Sequence, residues 1–294
     1  MSFLSYLLNG ISLGSVYAII ALGYTMVYGI AKMLNFAHGD VIMVGAYVAF
    51  TAIMSAGLPS LPAVILAVIA CTVLGVLIET IAYRPLLEAS SSLAVLITAI
   101  GVSYFLQNMV LLIFGANPKS FQSVVHLKGL SLAGGALTIS GETIVTILCG
   151  ILVMIALTSF INHTRAGQAM LAVSEDKGAA QLMGINVNGT IALTFAIGSG
   201  LAAIAGVLLC SAYPVLTPYT GSMPGIKAFT AAVFGGIGSI PGAFLGGLLL
   251  GVIEIFAKAY VSSQLSDAIV FGVLIIVLLV KPTGLLGKPV REKV

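Results

Sequence analysis

Charged side chains are scarce in this sequence. Only 7% of its 294 residues are Asp, Glu, Lys or Arg, and 60% are hydrophobic, whereas soluble domains carry about 25% charged residues. Apolar runs of about 20 residues recur along the chain, which is typical of membrane-spanning helices. The runs are continuous and lack the alternation of an outer-membrane barrel. We therefore predict an all-α, polytopic membrane helix bundle, formed by one domain over residues 1–294.

Groups that catalysis and ion coupling require are also few. Cys71, Cys149 and Cys210 stand alone in apolar runs, without metal-ligand spacing, so we expect buried thiols and neither a metal nor a disulfide. No GxxxxGK[ST] motif occurs, which excludes ATP binding by a P-loop. The sparse carboxylates and histidines argue against a proton-driven carrier, although backbone carbonyls leave a sodium-driven carrier open. We expect no enzymatic activity, no cofactor and no nucleic-acid partner.

Candidate spans number about seven to eight. Seven of them are roughly Leu7–Ile30, Val41–Met54, Pro62–Tyr83, Leu93–Phe114, Glu142–Ile161, Ile191–Tyr213 and Ser266–Val280. Basic residues near span ends mark cytoplasmic segments. They assign the short loop with Arg84, the loop 162–190 and the C-terminus to the cytoplasm. The same rule places the end of the first span, at Lys32, inside.

The segment Gly225–Tyr260 is apolar but too long for one crossing, and GGIGSIPG interrupts it. Both of its ends are expected outside, so we predict a re-entrant hairpin with a short helix Gly225–Phe234 and a longer returning helix. A single kinked crossing is the alternative. Irregular backbone at membrane depth persists only where protein buries it or where it lines a cavity. The candidate pathway residues of this turn are Gly235, Gly236, Gly238, Ser239, Pro241 and Gly242.

Polar residues also open the second span, in LNFAHGD. Asp40 stands in the first helical turn, where a carboxylate suits the helix dipole and can cap the helix. His38 and Asp40 form neither a metal site nor a catalytic pair, because a third group and a nucleophile are missing. We interpret them mainly as a cap and an interfacial anchor, and keep Asn35, His38 and Asp40 as pathway candidates.

Other charges are expected to form local pairs. Glu79 and Arg84 bracket a span end, and Glu254 and Lys258 are four residues apart on one helix. Lys227, in the first turn of the short helix, is expected near the outer surface. The external loop 115–141 contains two candidate strands, Gln122–Leu127 and Ala136–Ser140. They would form a cap, or the loop is a solvated connector.

The segment Asn162–Thr190, which we call the polar island, lies between two apolar runs and carries four charges. Ser174 or Asp176 can cap a helix of about two turns, and Gly184 stands where a left-handed cap is expected. Such a short helix is marginal alone in water, so we interpret it as a cytoplasmic docking element. An amphipathic helix lying on lipid is the alternative. The candidate docking residues are Ser174, Glu175, Asp176, Lys177, Ala179, Ala180, Leu182, Met183 and Gly184.

The island also carries a resemblance. Its GAAQLMG, at 178–184, resembles the EAAxxxG loop of ABC importer permeases, the coupling helix that sits in a groove of the ATPase subunit. Gly178 stands where that motif has glutamate. The stretches NGISLGSVYAIIALG (9–23), LNFAHGD (34–40) and FGGIGSIPG (234–242) are similar to the branched-chain amino-acid ABC permease subunits of the LivH type.

The resemblance implies an inner-membrane permease subunit of an ATP-driven importer of branched-chain or similar hydrophobic amino acids. It implies as partners a second homologous permease, two cytoplasmic ATPase subunits and a periplasmic substrate-binding protein. Substrate choice would then belong mainly to the binding protein. Permeases for urea and short amides look much alike, so they stay an alternative, as does a self-sufficient secondary carrier.

Overall fold

Helices form most of the chain. The computed structural model describes residues 2–86, 92–132 and 137–287. The helices are α1 (Ser2–Ala31), α2 (His38–Met54), α3 (Ser60–Leu77), α4 (Ser92–Phe114), α5 (Gly141–His163), α6 (Arg165–Glu175), α7 (Lys177–Leu182), α8 (Val187–Ala212), α9 (Ser222–Gly235), α10 (Ile240–Tyr260) and α11 (Ser266–Val280). A π-helical turn, Ile78–Tyr83, continues α3. In this described part, six helices are long and apolar enough to cross a membrane, and α2 and α11 are shorter apolar helices. The predicted all-α bundle is confirmed.

Glycines allow the central helices to approach closely. α1 is the most enclosed of the long helices, and α10 and α8 pack on it. A Cβ at Gly247 or Gly251 of α10 would overlap the α1 backbone at Ala18 or Gly14. Small residues give transmembrane backbones this kind of contact. α1, α8 and α10 therefore form the rigid centre, while α3, α4 and α5 expose most of their surface.

α9 and α10 form an antiparallel hairpin. Gly235 faces Gly242, and Ala231 faces Gly246, with no room for a Cβ at either glycine of α10. Gly236 and Gly238 in the turn have φ of 106° and 93°, which side chains rarely tolerate. The predicted hairpin is confirmed and the kinked crossing is wrong, although the short helix begins three residues earlier than Gly225.

Three separate segments meet at one end of the bundle. The hairpin turn lies beside Gly29 near the end of α1. The amides of Leu285 and Leu286 donate to the carbonyl oxygens of Phe234 and Gly235, each at 2.9 Å. The polar island reaches the same end, where it contacts α1. The basic residues predicted that the loop 162–190, the C-terminus and Lys32 share the cytoplasmic side, whereas they did not predict the hairpin turn at the same end.

Short strands tie the external loops together. β1 (Lys119–Ser120) pairs antiparallel with β4 (Val215–Leu216), and β2 (Leu130–Leu132) pairs with β3 (Leu137–Ile139). β3 confirms most of the second predicted strand, whose Ala136 is outside the described residues. The predicted strand Gln122–Leu127 is wrong, because the Ser123 hydroxyl accepts from the amide of Val125 at 3.2 Å and holds a local turn instead.

Candidate functional site

The polar island folds into two capped helices. The side chain of Asp176 accepts from the amide of Ala179 at 2.9 Å and caps α7, as one of the two predicted options had it. Ser174 is not the cap, because its hydroxyl donates to the Leu171 carbonyl at 2.7 Å. Gly184 ends the helix with φ 83°, as predicted. α6 was not predicted. Thr164 caps it by accepting from the amide of Gly167 at 3.0 Å.

One side of the island is fastened to the bundle. Met170, Val173 and Ala180 are buried, and the Lys177 ammonium donates to the carbonyl of Ala31, at the end of α1, at 2.9 Å. Burial first, and the neighbouring charge of Lys32 second, lower the pKa of Lys177. The missed signal for α6 is the spacing of its buried residues Gly167, Met170 and Val173 at i, i+3 and i+6.

The other side of the island is open. Leu182 and Met183 are 90% and 83% exposed, and Ala179 is exposed beside them. Glu175 is exposed just before the N-terminus of α7. Contiguous exposed apolar side chains rimmed by polar ones mark interaction surfaces. We call Ala179, Leu182 and Met183 the island's apolar face. All three are among the predicted docking residues, and the structure exposes all of them.

The polar residues at the start of α2 contact different neighbours. The hydroxyl of Tyr83 donates to Asn35 at 3.0 Å, and the His38 ring packs on Tyr24 with centroids 4.5 Å apart. The side-chain amide of Gln107 donates to the Asp40 carboxylate at 2.8 Å. Ala37 is the N-cap of α2, and no side chain bonds there. The predicted capping by Asp40 is therefore wrong, because its carboxylate turns towards α4.

A cavity of about 480 Å³ lies between α2, α4 and α9. Its volume falls in the range of about 300–1,000 Å³ that is usual for small-molecule sites. The polar lining comes from Asp40, Ser103, Gln107 and Ser222, together with the hydroxyl of Tyr24. The remaining lining residues are Phe36, Gly39, Ile100, Tyr104, Gly225, Ile226 and Phe229. Gln107, Ser103 and Ser222 were missed, because no local motif marks single polar residues of apolar helices.

The two groups of pathway candidates are not brought together. Of all the candidates, only Asp40 lines this cavity. The turn residues Gly235–Gly242 lie instead at the end of the bundle near residues 283–287. There Ser239 caps α10 by accepting from the amide of Gly242 at 3.2 Å, and Pro241 occupies its first turn. The turn shapes the hairpin and is packed against protein, which is the condition under which irregular backbone persists at membrane depth.

A larger cavity, about 790 Å³, lies near the C-terminal end of α8, beside Ile204, Val207 and Leu208. Its walls combine the loop residues 122–127 with mainly aliphatic side chains of α3 and α8, together with Cys149 of α5. The polar contact at its edge joins the hydroxyl of Ser60 to the His126 ring at 2.9 Å. All three cysteines are free, as expected; Cys71 and Cys210 are buried, whereas Cys149 is only half-buried. This second cavity contains no carboxylate, unlike the cavity at Asp40.

A buried charge cluster joins the hairpin to its neighbours. The Glu254 carboxylate binds the ammonium groups of Lys227, at 2.8 Å, and of Lys258. Tyr17 of α1 donates to the same carboxylate at 2.8 Å, and Lys227 also reaches Asp267 of α11 at 2.7 Å. The expected Glu254–Lys258 and Glu79–Arg84 pairs are confirmed. Lys227 lies in the second turn of α9 and not in the first, because the helix begins at Ser222. Only 6% of it is exposed, so its charge needs the buried partner.

Comparison with known proteins places this architecture in a family. Residues 6–278 match the family "Branched-chain amino acid transport system / permease component". The chain is 49% identical to the high-affinity branched-chain amino acid transport system permease protein BraD of Pseudomonas aeruginosa, over 99% of this chain and 98% of that protein. It is 47% identical to the corresponding permease protein LivH of Escherichia coli over the same shares.

The fold itself is similar to a solved structure. A chain of PsaBC from Streptococcus pneumoniae in complex with Fab superposes with a TM-score of 0.50 at 16% identity, covering 95% of this chain and 92% of that chain. At this identity the likeness concerns the arrangement of the helices alone. The sequence matches over nearly the whole length show more: this chain belongs to the permease components of branched-chain amino acid transport systems.

Proposed function

We propose that this chain is the inner-membrane permease subunit of an ATP-driven importer of branched-chain or similar hydrophobic amino acids. Its family and its relatives, which are named high-affinity branched-chain amino acid permease proteins, support the substrate class. The observation that carries the coupling mechanism is the island's apolar face, with Leu182 and Met183 exposed on a segment anchored to the bundle. An aqueous partner that docks there would bury these side chains and gain about 1.5–3 kcal/mol for each.

The proposed partner at this face is a cytoplasmic ATPase subunit. The complete importer would hold two such subunits, a second homologous permease and a periplasmic binding protein that delivers the amino acid. ATP is bound and hydrolysed by the partners, since this chain has no P-loop. The chain converts their movement into opening and closing of a pathway through the membrane.

The contacts of the island suggest how movement is transmitted. A partner that shifts α7 also pulls on the Lys177–Ala31 hydrogen bond and on buried Ala180. α1 is packed backbone to backbone on α10 through Gly247 and Gly251, so the two helices move together rather than slide. α10 carries the hairpin with α9, which forms one wall of the 480 Å³ cavity. A displacement at the island therefore reaches the cavity through rigid elements.

We place the pathway at that cavity. Asn35, just before α2, and His38, its first residue, support the wall of the cavity, while Asp40 faces into it. The turn Gly235–Gly242 sets the geometry of the cytoplasmic end and does not line the cavity. The second permease would cover the open side, where Tyr104 and Ile226 are exposed.

The test is an Ala179→Glu substitution in the complete transporter, reconstituted with its ATPase subunits and binding protein. A charge on the apolar face should separate ATP hydrolysis from uptake, so that uptake of labelled leucine falls at least tenfold. Gln181→Glu is the matched control, because it adds the same charge to an exposed position of α7 outside that face. Full uptake by Ala179→Glu, or equal losses in both variants, would remove the coupling role from this face.

A further inference from the structure

Within the part of the chain that the structure describes, the Asp40 carboxylate is buried without a compensating cation. It is 2% exposed, and its hydrogen-bond partners are neutral: the amide of Gln107 at 2.8 Å and the hydroxyl of Ser103. Among residues 2–86, 92–132 and 137–287, no Lys or Arg forms an ion pair with it. An ionised carboxylate away from water is costly unless it is paired. Intramembrane carboxylates of this kind mark substrate or ion sites.

Asp40 differs from two other buried carboxylates of the structure, Glu254 and Glu79. Glu254 is surrounded by two ammonium groups and Glu79 by the guanidinium of Arg84. These two are satisfied inside the chain. Asp40 differs from them because it also lines a cavity large enough for a small molecule. The missing positive charge can therefore arrive with a ligand.

The same cavity is poorly equipped for an anion. α9 begins at its edge, and a helix N-terminus ordinarily attracts negative charge. Here Pro224 has no amide hydrogen. The amides of Ser222 and Gly225 already donate to the carbonyls of Tyr219, at 3.1 Å, and Gly221, at 2.8 Å. The first turn of α9 thus offers little to a carboxylate, and the polarity of the site favours a cation.

We propose that Asp40 binds the ammonium group of the amino acid during its passage, with Ser103 and Gln107 orienting the carboxylate. This inference rests on the function proposed above. Next to the polar wall, Phe36, Ile226 and Phe229 present apolar surface that suits a branched aliphatic side chain. The site binds the ammonium group and contacts the side chain of the amino acid, and the substrate carboxylate stays on the open side of the cavity.

The partners of Asp40 also keep this binding weak. The Gln107 amide donates to Asp40 at 2.8 Å and lies 3.4 Å from the hydroxyl of Ser222. An arriving ammonium competes with Gln107 for the same carboxylate oxygen. A transport site needs this balance, since a ligand that is held too firmly does not leave. Gln107 is therefore a positioning residue that links α2, α4 and α9 around the ligand.

The first test measures the polarity of the cavity directly. Ser222→Cys places a thiol on the lining, and its rates with the 2-aminoethyl and 2-sulfonatoethyl methanethiosulfonates are compared in the assembled transporter. Each rate is divided by the rate at which the same reagent reacts with a small thiol in solution. The transporter without the Ser222→Cys substitution gives the background rate of reaction at the native cysteines. We expect the cationic reagent to be favoured at least tenfold, and Asp40→Asn to abolish the preference. Ser60→Cys, in the cavity without a carboxylate, is the control whose ratio Asp40→Asn should not change.

Ligand protection supplies an independent arm that leaves Asp40 unchanged. L-Leucine should slow modification of Ser222→Cys at least threefold, whereas 4-methylpentanoate, which has the same side chain but no ammonium, should not. Equal protection by both compounds, or by neither, would overturn the inference. This arm decides the question even if the Asp40→Asn variant does not assemble.

Uptake then separates this inference from the proposed function. Asp40→Asn should lower ATP-driven leucine uptake at least tenfold while ATP hydrolysis stimulated by the loaded binding protein continues, and Asp40→Glu should restore part of the uptake. If the unmodified transporter takes up no leucine with ATP, the proposed function fails. If it transports and Asp40→Asn transports equally well, the function stands and the ammonium site is wrong.

Discussion

Replacement of Glu254 by Gln tests the buried charge cluster that holds the hairpin in place. The substitution keeps the shape of the side chain and removes its charge. Among the described residues, the one carboxylate that then remains paired with Lys227, whose side chain is 7% exposed, is that of Asp267, which is 43% exposed and therefore screened by solvent. Breaking a buried ion pair from one side costs about 3–5 kcal/mol. The partly exposed Lys258 adds at most about 1 kcal/mol.

We therefore expect Glu254→Gln to lower the free energy of unfolding by about 3–5 kcal/mol. The assay is unfolding of the purified chain in mixed micelles with increasing dodecyl sulfate, followed by circular dichroism. Asp267→Asn is the matched control, since it removes an exposed carboxylate from the same cluster and should cost about 1 kcal/mol or less. A loss with Glu254→Gln no larger than that of Asp267→Asn would show that the buried Lys227–Glu254 pair does not stabilise the hairpin.

A paired variant checks the mechanism behind that loss. Lys227→Met combined with Glu254→Leu removes both buried charges, and apolar replacement of a whole buried pair is often neutral. The double variant should therefore be more stable than Glu254→Gln alone. Some loss should remain, because the hydroxyl of Tyr17 loses its acceptor. A double variant that is less stable than Glu254→Gln would show that the charges are not the cause.

Two further predictions concern packing and capping. Gly251→Ala directs a methyl group into the α1 backbone at Gly14, so the yield of monodisperse protein on size exclusion should fall sharply, whereas Gly272→Ala on α11, where a Cβ meets open space, should leave it unchanged. Asp176→Ala removes the cap of α7 and should cost that helix about 0.5–2 kcal/mol, seen as faster hydrogen exchange of the Ala179 amide with unchanged exchange in α6; unchanged exchange at Ala179 would contradict the capping role.

Local signals in the sequence predicted much of the fold. Continuous apolar runs gave the spans within a few residues, because their length and composition are properties of single helices. The excess length of Gly225–Tyr260 and its glycines gave the hairpin. Asp176 and Gly184 gave both ends of α7, since caps depend on residues next to the helix in the chain. In each of these cases, the structure depends on neighbours in sequence.

The contacts that define the cavity and the charge cluster were not predicted. Asp40 and Gln107 are separated by 67 positions, and Lys227 and Glu254 by 27. Such pairs arise from the packing of whole helices, and no local pattern in the sequence predicts them. The sequence therefore indicated a capping role for Asp40 and no buried ion pair for Lys227, although both residues are buried. α6 was missed because its polar residues hid the regular spacing of its three buried ones.

In the proposed mechanism, this chain moves amino acids with work done by ATPase subunits on the polar island. The most direct measurement is uptake of labelled leucine into proteoliposomes that contain the complete transporter, with ATP supplied on the side of the ATPases. We predict uptake that requires ATP and stops when the ATPase subunits are inactivated, with or without a sodium or proton gradient. Uptake that continues without ATP hydrolysis, driven by either gradient, would contradict the proposed ATP-driven transport.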